Sequence, residues 1–137
     1  MKFLLDANVL SEATKPRPDG GVLRWLSEHQ VGSCTSSVVM GEIEIGLLLL
    51  EDGQRRRQLF SWLEGLRASM IVFPFDQEVA SAWAGLVAGL QGQGIRLPIK
   101  DSMIAATAVV HGLTVVTRNV RDFEQTGVKL VNPFGEI

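Results

Sequence analysis

The chain has one cysteine, Cys34, so no disulfide can close within it. That fits a reducing cytoplasm, where the protein is expected to reside. Nothing else in the sequence supports a thiol mechanism, and Cys34 reads as a small buried hydrophobe. Charge of one sign is also lacking: 13 Lys and Arg against 15 Asp and Glu leave a formal net charge of -2. Such a chain is not a polycation that coats nucleic acid, so any RNA contact must be local. Long apolar runs are missing too. The stretch Ile45 to Leu50 is bounded by Glu44 and Glu51, far short of the about 20 apolar residues that cross a bilayer. The run from Phe3 to Leu5 is cut off by Asp6, so no export signal and no membrane association are expected. There is no internal repeat and no low-complexity segment.

What is present is the material of one α/β domain over residues 1–137, with 46% hydrophobic residues to build its core. Apolar runs of strand length occur at Lys2 to Leu5, Ser33 to Thr35, Ile71 to Phe73, Leu113 to Thr117 and Lys129 to Val131. Between them, Val22 to His29, Ser37 to Leu50, Gln54 to Leu66, Asp76 to Leu90 and Asp101 to His111 space apolar residues by three and four, the helical period. Strands alternating with helices imply a mostly parallel sheet of four or five strands with helices on both faces. Ser36 or Ser37 and Asp76 suit helix N-caps, and Gly112 suits a C-terminus. Lys15 to Gly21 and Gln91 to Gly94 have loop compositions.

Three carboxylates stand out. Asp6 follows a probable central strand, where open α/β sheets place ligands, although capping a helical turn at Val9 to Thr14 is an equal reading. Asp101, at the start of an apolar helix, reads on its own as an N-cap. Glu42 lies among Val38, Val39, Ile45 and Gly46 at helical spacing, and a carboxylate in that stripe needs a partner. Glu44 has equally apolar neighbours, so periodicity does not say which glutamate faces a site. Trp25, Trp62 and Trp83 sit in helical apolar patterns and read as packing residues. Arg55 to Arg57 reads as an exposed helix face.

Taken together, four segments resemble the PIN-domain family in its VapC and FitB toxin branch. They are Leu5-Asp6-Ala7-Asn8-Val9-Leu10-Ser11-Glu12, Glu42-Ile43-Glu44-Ile45-Gly46, Asp101-Ser102-Met103-Ile104-Ala105-Ala106-Thr107-Ala108 and Thr117-Arg118-Asn119-Val120-Arg121-Asp122-Phe123. The resemblance runs from Phe3 to Phe134. It implies a magnesium-dependent endoribonuclease, with manganese able to substitute, acting as the toxin of a toxin-antitoxin pair. Asp6, Glu42 and Asp101 would hold the metal, with Asn8 supporting Asp6 by a hydrogen bond. Glu42 is preferred to Glu44 because Gly46 follows it by four residues, as in the family motif. Asn119 stands where the family often has a fourth acid. The site then works with three carboxylates and an amide, or Asp122 supplies the missing charge, and the first is preferred.

The resemblance also implies an antitoxin partner laying a segment with a basic side chain across the site, an RNA substrate, and a homodimer for which Ala80 to Leu90 could supply the surface. Hard cations such as magnesium take oxygen ligands, so carboxylates from distant segments are the right donor type. Lys15, Arg17, Arg96, Lys100, Arg118 and Arg121 flank the acids and could meet RNA phosphates, though each alone is more readily a solvated surface charge. A phosphatase of the haloacid-dehalogenase kind is the rival enzyme, because Asp6-Ala7-Asn8 looks like its nucleophile motif. The amide of Asn8 cannot act as that family's general acid. A PIN domain that binds without cleaving is the rival from another class.

Overall fold

The structure is a computed structural model and describes residues 1–135. Five short strands, β1 (Phe3–Leu5), β2 (Ser33–Ser36), β3 (Ile71–Phe73), β4 (Thr114–Val116) and β5 (Leu130–Val131), form one sheet in the order β3-β2-β1-β4-β5. Every pairing is parallel. The register sets Leu4 beside Cys34 on one side and Val115 on the other. Leu4 and Leu5 point to opposite faces of the sheet, yet both are buried, as are Val115 and Val116. Both faces are therefore covered, as a parallel sheet requires.

Among the described residues, seven α-helices connect the strands: α1 (Ala7–Glu12), α2 (Gly20–Glu28), α3 (Ser37–Leu48), α4 (Gln54–Ser69), α5 (Gln77–Gly92), α6 (Ile99–His111) and α7 (Val120–Phe123). Their ends follow local chemistry. Ser36 Oγ accepts from the Val39 N–H, which makes Ser36 and not Ser37 the cap of α3. Asp76 caps α5 through Val79, and Gly112 ends α6 in the left-handed region at φ 65°. Trp83, on α5, donates its indole N–H to Ser102 Oγ on α6 at 2.8 Å, tying the two helices.

Three expectations need correction. Asp101 is the third residue of α6 and not its cap, because Pro98 holds the cap position with no side-chain bond and the helix starts two residues earlier than expected. Its charge still lies in the first turn, where the helix dipole favours an anion. The loop ending at Gly21 is shorter than its composition suggests, since Asp19 caps α2 through Val22 and draws both glycines into the helix. Likewise α5 runs on through Gln91 and Gly92. Short α7 was not foreseen, because four residues carry no period; fully buried Phe123 anchors it. Among the described residues no helix is long and apolar enough to cross a membrane.

The candidate active site at the crossing of β1 and β4

The chain steps outward from β1 to β2 and β3, then returns to place β4 on the opposite side of β1. Such a reversal opens a crevice beyond the carboxyl ends of the two central strands. Asp6 leaves β1 there and Thr117 leaves β4 there. Asp6 is almost fully buried and serves two ends at once: it is the N-cap of α1, accepting from the Ala7 N–H at 2.8 Å, and it accepts from the Thr117 hydroxyl at 2.7 Å. The capping reading of Asp6 therefore holds, for a helix that starts at Ala7 rather than Val9. Asn8 Nδ2 donates to Asp6 Oδ2 at 3.4 Å and to Thr117 Oγ1 at 3.3 Å, while its Oδ1 accepts from the Arg118 N–H. Burial pushes the Asp6 carboxyl above its ordinary range; the hydrogen bonds from Thr117, Ala7 and Asn8 and the charge of Lys100 pull against it without cancelling it.

Asp101 comes to the same crevice from the first turn of α6. It is 8% exposed, and its pKa is pushed up to about 6, first by burial and then by the negative charges of Asp6, Asp122 and Glu42. These acids thus share one electrostatic environment although they come from four separate segments. Lys100 opposes them. Its Nζ lies 3.3 Å from Glu42 Oε2, and its charge lowers the pKa of both Asp6 and Asp101. Glu42 has found the partner that its apolar surroundings demanded. Glu44 faces elsewhere and pairs with Arg67, which also holds Glu64.

The donor set is chemically right for a hard cation: oxygen ligands only, with burial and then mutual repulsion raising Asp101 to about 6. Among the described residues, however, no three His, Cys, Asp or Glu side chains stand together as a finished metal site. Glu42 is engaged by an ammonium instead. Asn119 is exposed and enters through its backbone, whose N–H donates to Thr117 Oγ1 at 2.9 Å. From that segment, the side chain whose charge reaches Asp101 is Asp122.

Sequence reasoning passed over Thr117 as a site residue, since a lone hydroxyl after a strand carries no pattern; its position one residue past β4, opposite Asp6, was the available signal. Glu12 was also passed over. It is a buried carboxylate that accepts from the Asp19 N–H at 2.9 Å and pairs with Lys15 at 3.0 Å, fixing the loop between α1 and α2.

Comparison with known proteins agrees with this geometry. The PIN domain model matches residues 3–129. VapC ribonuclease Y4jK of Sinorhizobium fredii is 35% identical over 136 residues, covering 96% of this chain and 97% of that protein. Toxin FitB of Neisseria gonorrhoeae is 33% identical, covering 96% and 98%. A solved structure of FitAB bound to the IR36 DNA fragment superposes with a TM-score of 0.88 at 31% identity, covering 98% of this chain and 97% of that one. With the PIN domain model matched over residues 3–129 and relatives of 33–35% identity covered over nearly their whole length, the chain belongs to the PIN-domain family.

Proposed function

We propose that this chain is a metal-dependent endoribonuclease and the toxin of a toxin-antitoxin pair. The observation that carries this reading is the convergence of Asp6, Glu42, Asp101 and Asp122 on one crevice, where burial and mutual repulsion raise Asp101 to about 6. A magnesium ion would be held by Asp6, Glu42 and Asp101, with manganese as a substitute. Once bound, such a cation supplies Lewis-acid stabilisation of the scissile phosphate and lowers the pKa of a coordinated water.

The protein's own residues do the rest. Thr117 and Asn8 fix the orientation of Asp6, so that its carboxylate meets a ligand without rearrangement. The first turn of α6 presents Asp101 with the dipole of the helix behind it. Exposed Arg17 and Arg121 are candidates to meet RNA phosphates, which suits a chain whose overall charge offers no attraction. The relatives named VapC ribonuclease and toxin FitB support the ribonuclease and toxin assignments.

The partner is an antitoxin. FitAB and VapBC complexes among the structural neighbours support it. A groove of about 650 Å³, lined in part by Leu5, Leu10, Leu23, Leu26, Trp62 and Leu66, abuts the strand and helix that Asp6 joins. An apolar antitoxin segment is the proposed occupant of that groove. Self-association through the exposed small residues Ala84, Gly85 and Ala88 of α5 completes the proposed assembly.

The test is cleavage of labelled RNA by the purified chain. Cleavage should require magnesium or manganese, stop with chelator, and vanish in Asp6→Asn and Asp101→Asn. Full cleavage in chelator would exclude the metal mechanism.

A further inference from the structure

Lys100 is the second residue of α6 and the immediate neighbour of Asp101. Its side chain reaches Glu42 on α3, with Nζ 3.3 Å from Oε2. From there its charge also acts on Asp6 at the head of α1 and on Asp101. One ammonium therefore serves carboxylates from three helices. An ion pair on open surface is worth little, and the Arg67 bridge to Glu44 on the same helix α3 is of that kind. The Lys100 pair differs in its setting, because Lys100 contacts Glu42 while its charge also lowers the pKa of Asp6 and Asp101, acids from two other segments.

We propose that Lys100 is the resident counter-cation of this carboxylate cluster and occupies Glu42 until a divalent cation displaces it, so that it sets the metal concentration at which the site loads. The inference rests on the proposed metal-dependent reading. An ammonium is a compact point charge whose N–H donors engage the same carboxylate oxygens that a hard cation takes as ligands. Glu42 Oε2 serves one or the other. The divalent ion wins at sufficient concentration because it carries twice the charge and coordinates several acids at once. The lysine yields readily because its side chain is 56% exposed and flexible, and its displaced head returns to water at small cost. Lys100 offsets part of the repulsion within the cluster before the metal arrives.

Calorimetric titration of Mn2+ into the parent chain, Lys100→Gln and Arg96→Gln tests this. Gln keeps much of the length of the side chain and removes its charge, while Arg96, four residues earlier, controls for loss of a nearby cation. Lys100→Gln should bind roughly three- to tenfold more tightly than the parent, and Arg96→Gln within about twofold of it. In thermal unfolding without metal, Lys100→Gln should melt below the parent, and saturating Mn2+ should close that gap. Binding by Lys100→Gln equal to or weaker than that of the parent overturns the competition while leaving the metal site standing. An equal gain in Arg96→Gln also overturns it, since the effect would then be general charge. If neither the parent nor Lys100→Gln binds Mn2+, the metal-dependent reading falls and this inference with it.

Discussion

Thr117 Oγ1 lies 2.7 Å from Asp6 Oδ2, a hydrogen bond between residues 111 positions apart that fastens the ends of the two central strands to each other. The same oxygen accepts from Asn8 Nδ2 and from the Asn119 N–H, so the hydroxyl is fully employed.

Removing that hydroxyl should be felt in stability and in the site together. Thr117→Val keeps the shape but leaves a buried carboxylate oxygen short of its donor, which costs on the order of 1–3 kcal/mol. Urea unfolding should show that loss, and metal affinity should fall with it. Thr117→Ser should recover most of both. A Thr117→Val variant as stable and as tight as the parent would mean that the bond contributes nothing.

Asp101 should make the metal-free protein less stable as pH rises. Its carboxyl titrates near 6 in the fold against an ordinary value of 3.8. Below about pH 4 the group is protonated whether the chain is folded or not, and it costs nothing. Between that point and pH 6 the unfolded chain ionises freely while the folded one resists, so folding stability declines, and the penalty is complete above pH 6. Asp101→Asn removes it. The variant should gain on the order of 1–3 kcal/mol at pH 7 and almost nothing at pH 3, with cleavage lost at every pH. Asp6→Asn should gain less, because Asp6 also caps α1 and receives the Thr117 hydroxyl.

The two glutamates of α3 should separate cleanly. Glu42→Gln should abolish cleavage and metal binding. Glu44→Gln breaks only a surface pair with Arg67, should cost less than about 1 kcal/mol, and should leave cleavage intact. Equal losses in the two variants would mean that α3 is oriented differently from what the Lys100 contact indicates.

A fourth acid can be identified by paired substitutions. Asp122 raises Asp101 through its charge, whereas Asn119 contributes its backbone. Asp122→Asn should therefore weaken metal binding several-fold, and Asn119→Asp should alter it less than about twofold. The opposite ranking of dissociation constants would return the fourth position to Asn119.

Much of this architecture was legible because its signals are local. The strands appear as β-branched or apolar runs such as Ile71 to Phe73, and the helices as three- and four-residue spacing closed by recognisable caps at Ser36, Asp76 and Gly112. Boundaries slipped where tertiary contacts outweigh composition. Gln91 and Gly92 stay helical although their composition is that of a loop, and α6 starts at Ile99 behind Pro98, which offers no side-chain cap to mark the boundary. Within the site, Asp6 and Asp101 are conspicuous as charges beside apolar runs, but each also reads as a helix cap, and the family likeness was needed to single them out. Choosing between Glu42 and Glu44 required the family likeness, since both have apolar neighbours, and the structure separates them through Lys100 and Arg67. Thr117 and the part played by Lys100 were hidden, because each depends on a neighbour far away in sequence.

The pairing of β4 directly against β1 has a consequence for how the protein is made. Asp6 leaves the ribosome 111 residues ahead of Thr117, which orients it. A nascent chain halted before Thr114 carries Asp6, Glu42 and Asp101 and lacks the scaffold that joins them. Since pairings this distant in sequence form slowly, translation itself imposes a delay between the start of synthesis and the first competent molecule.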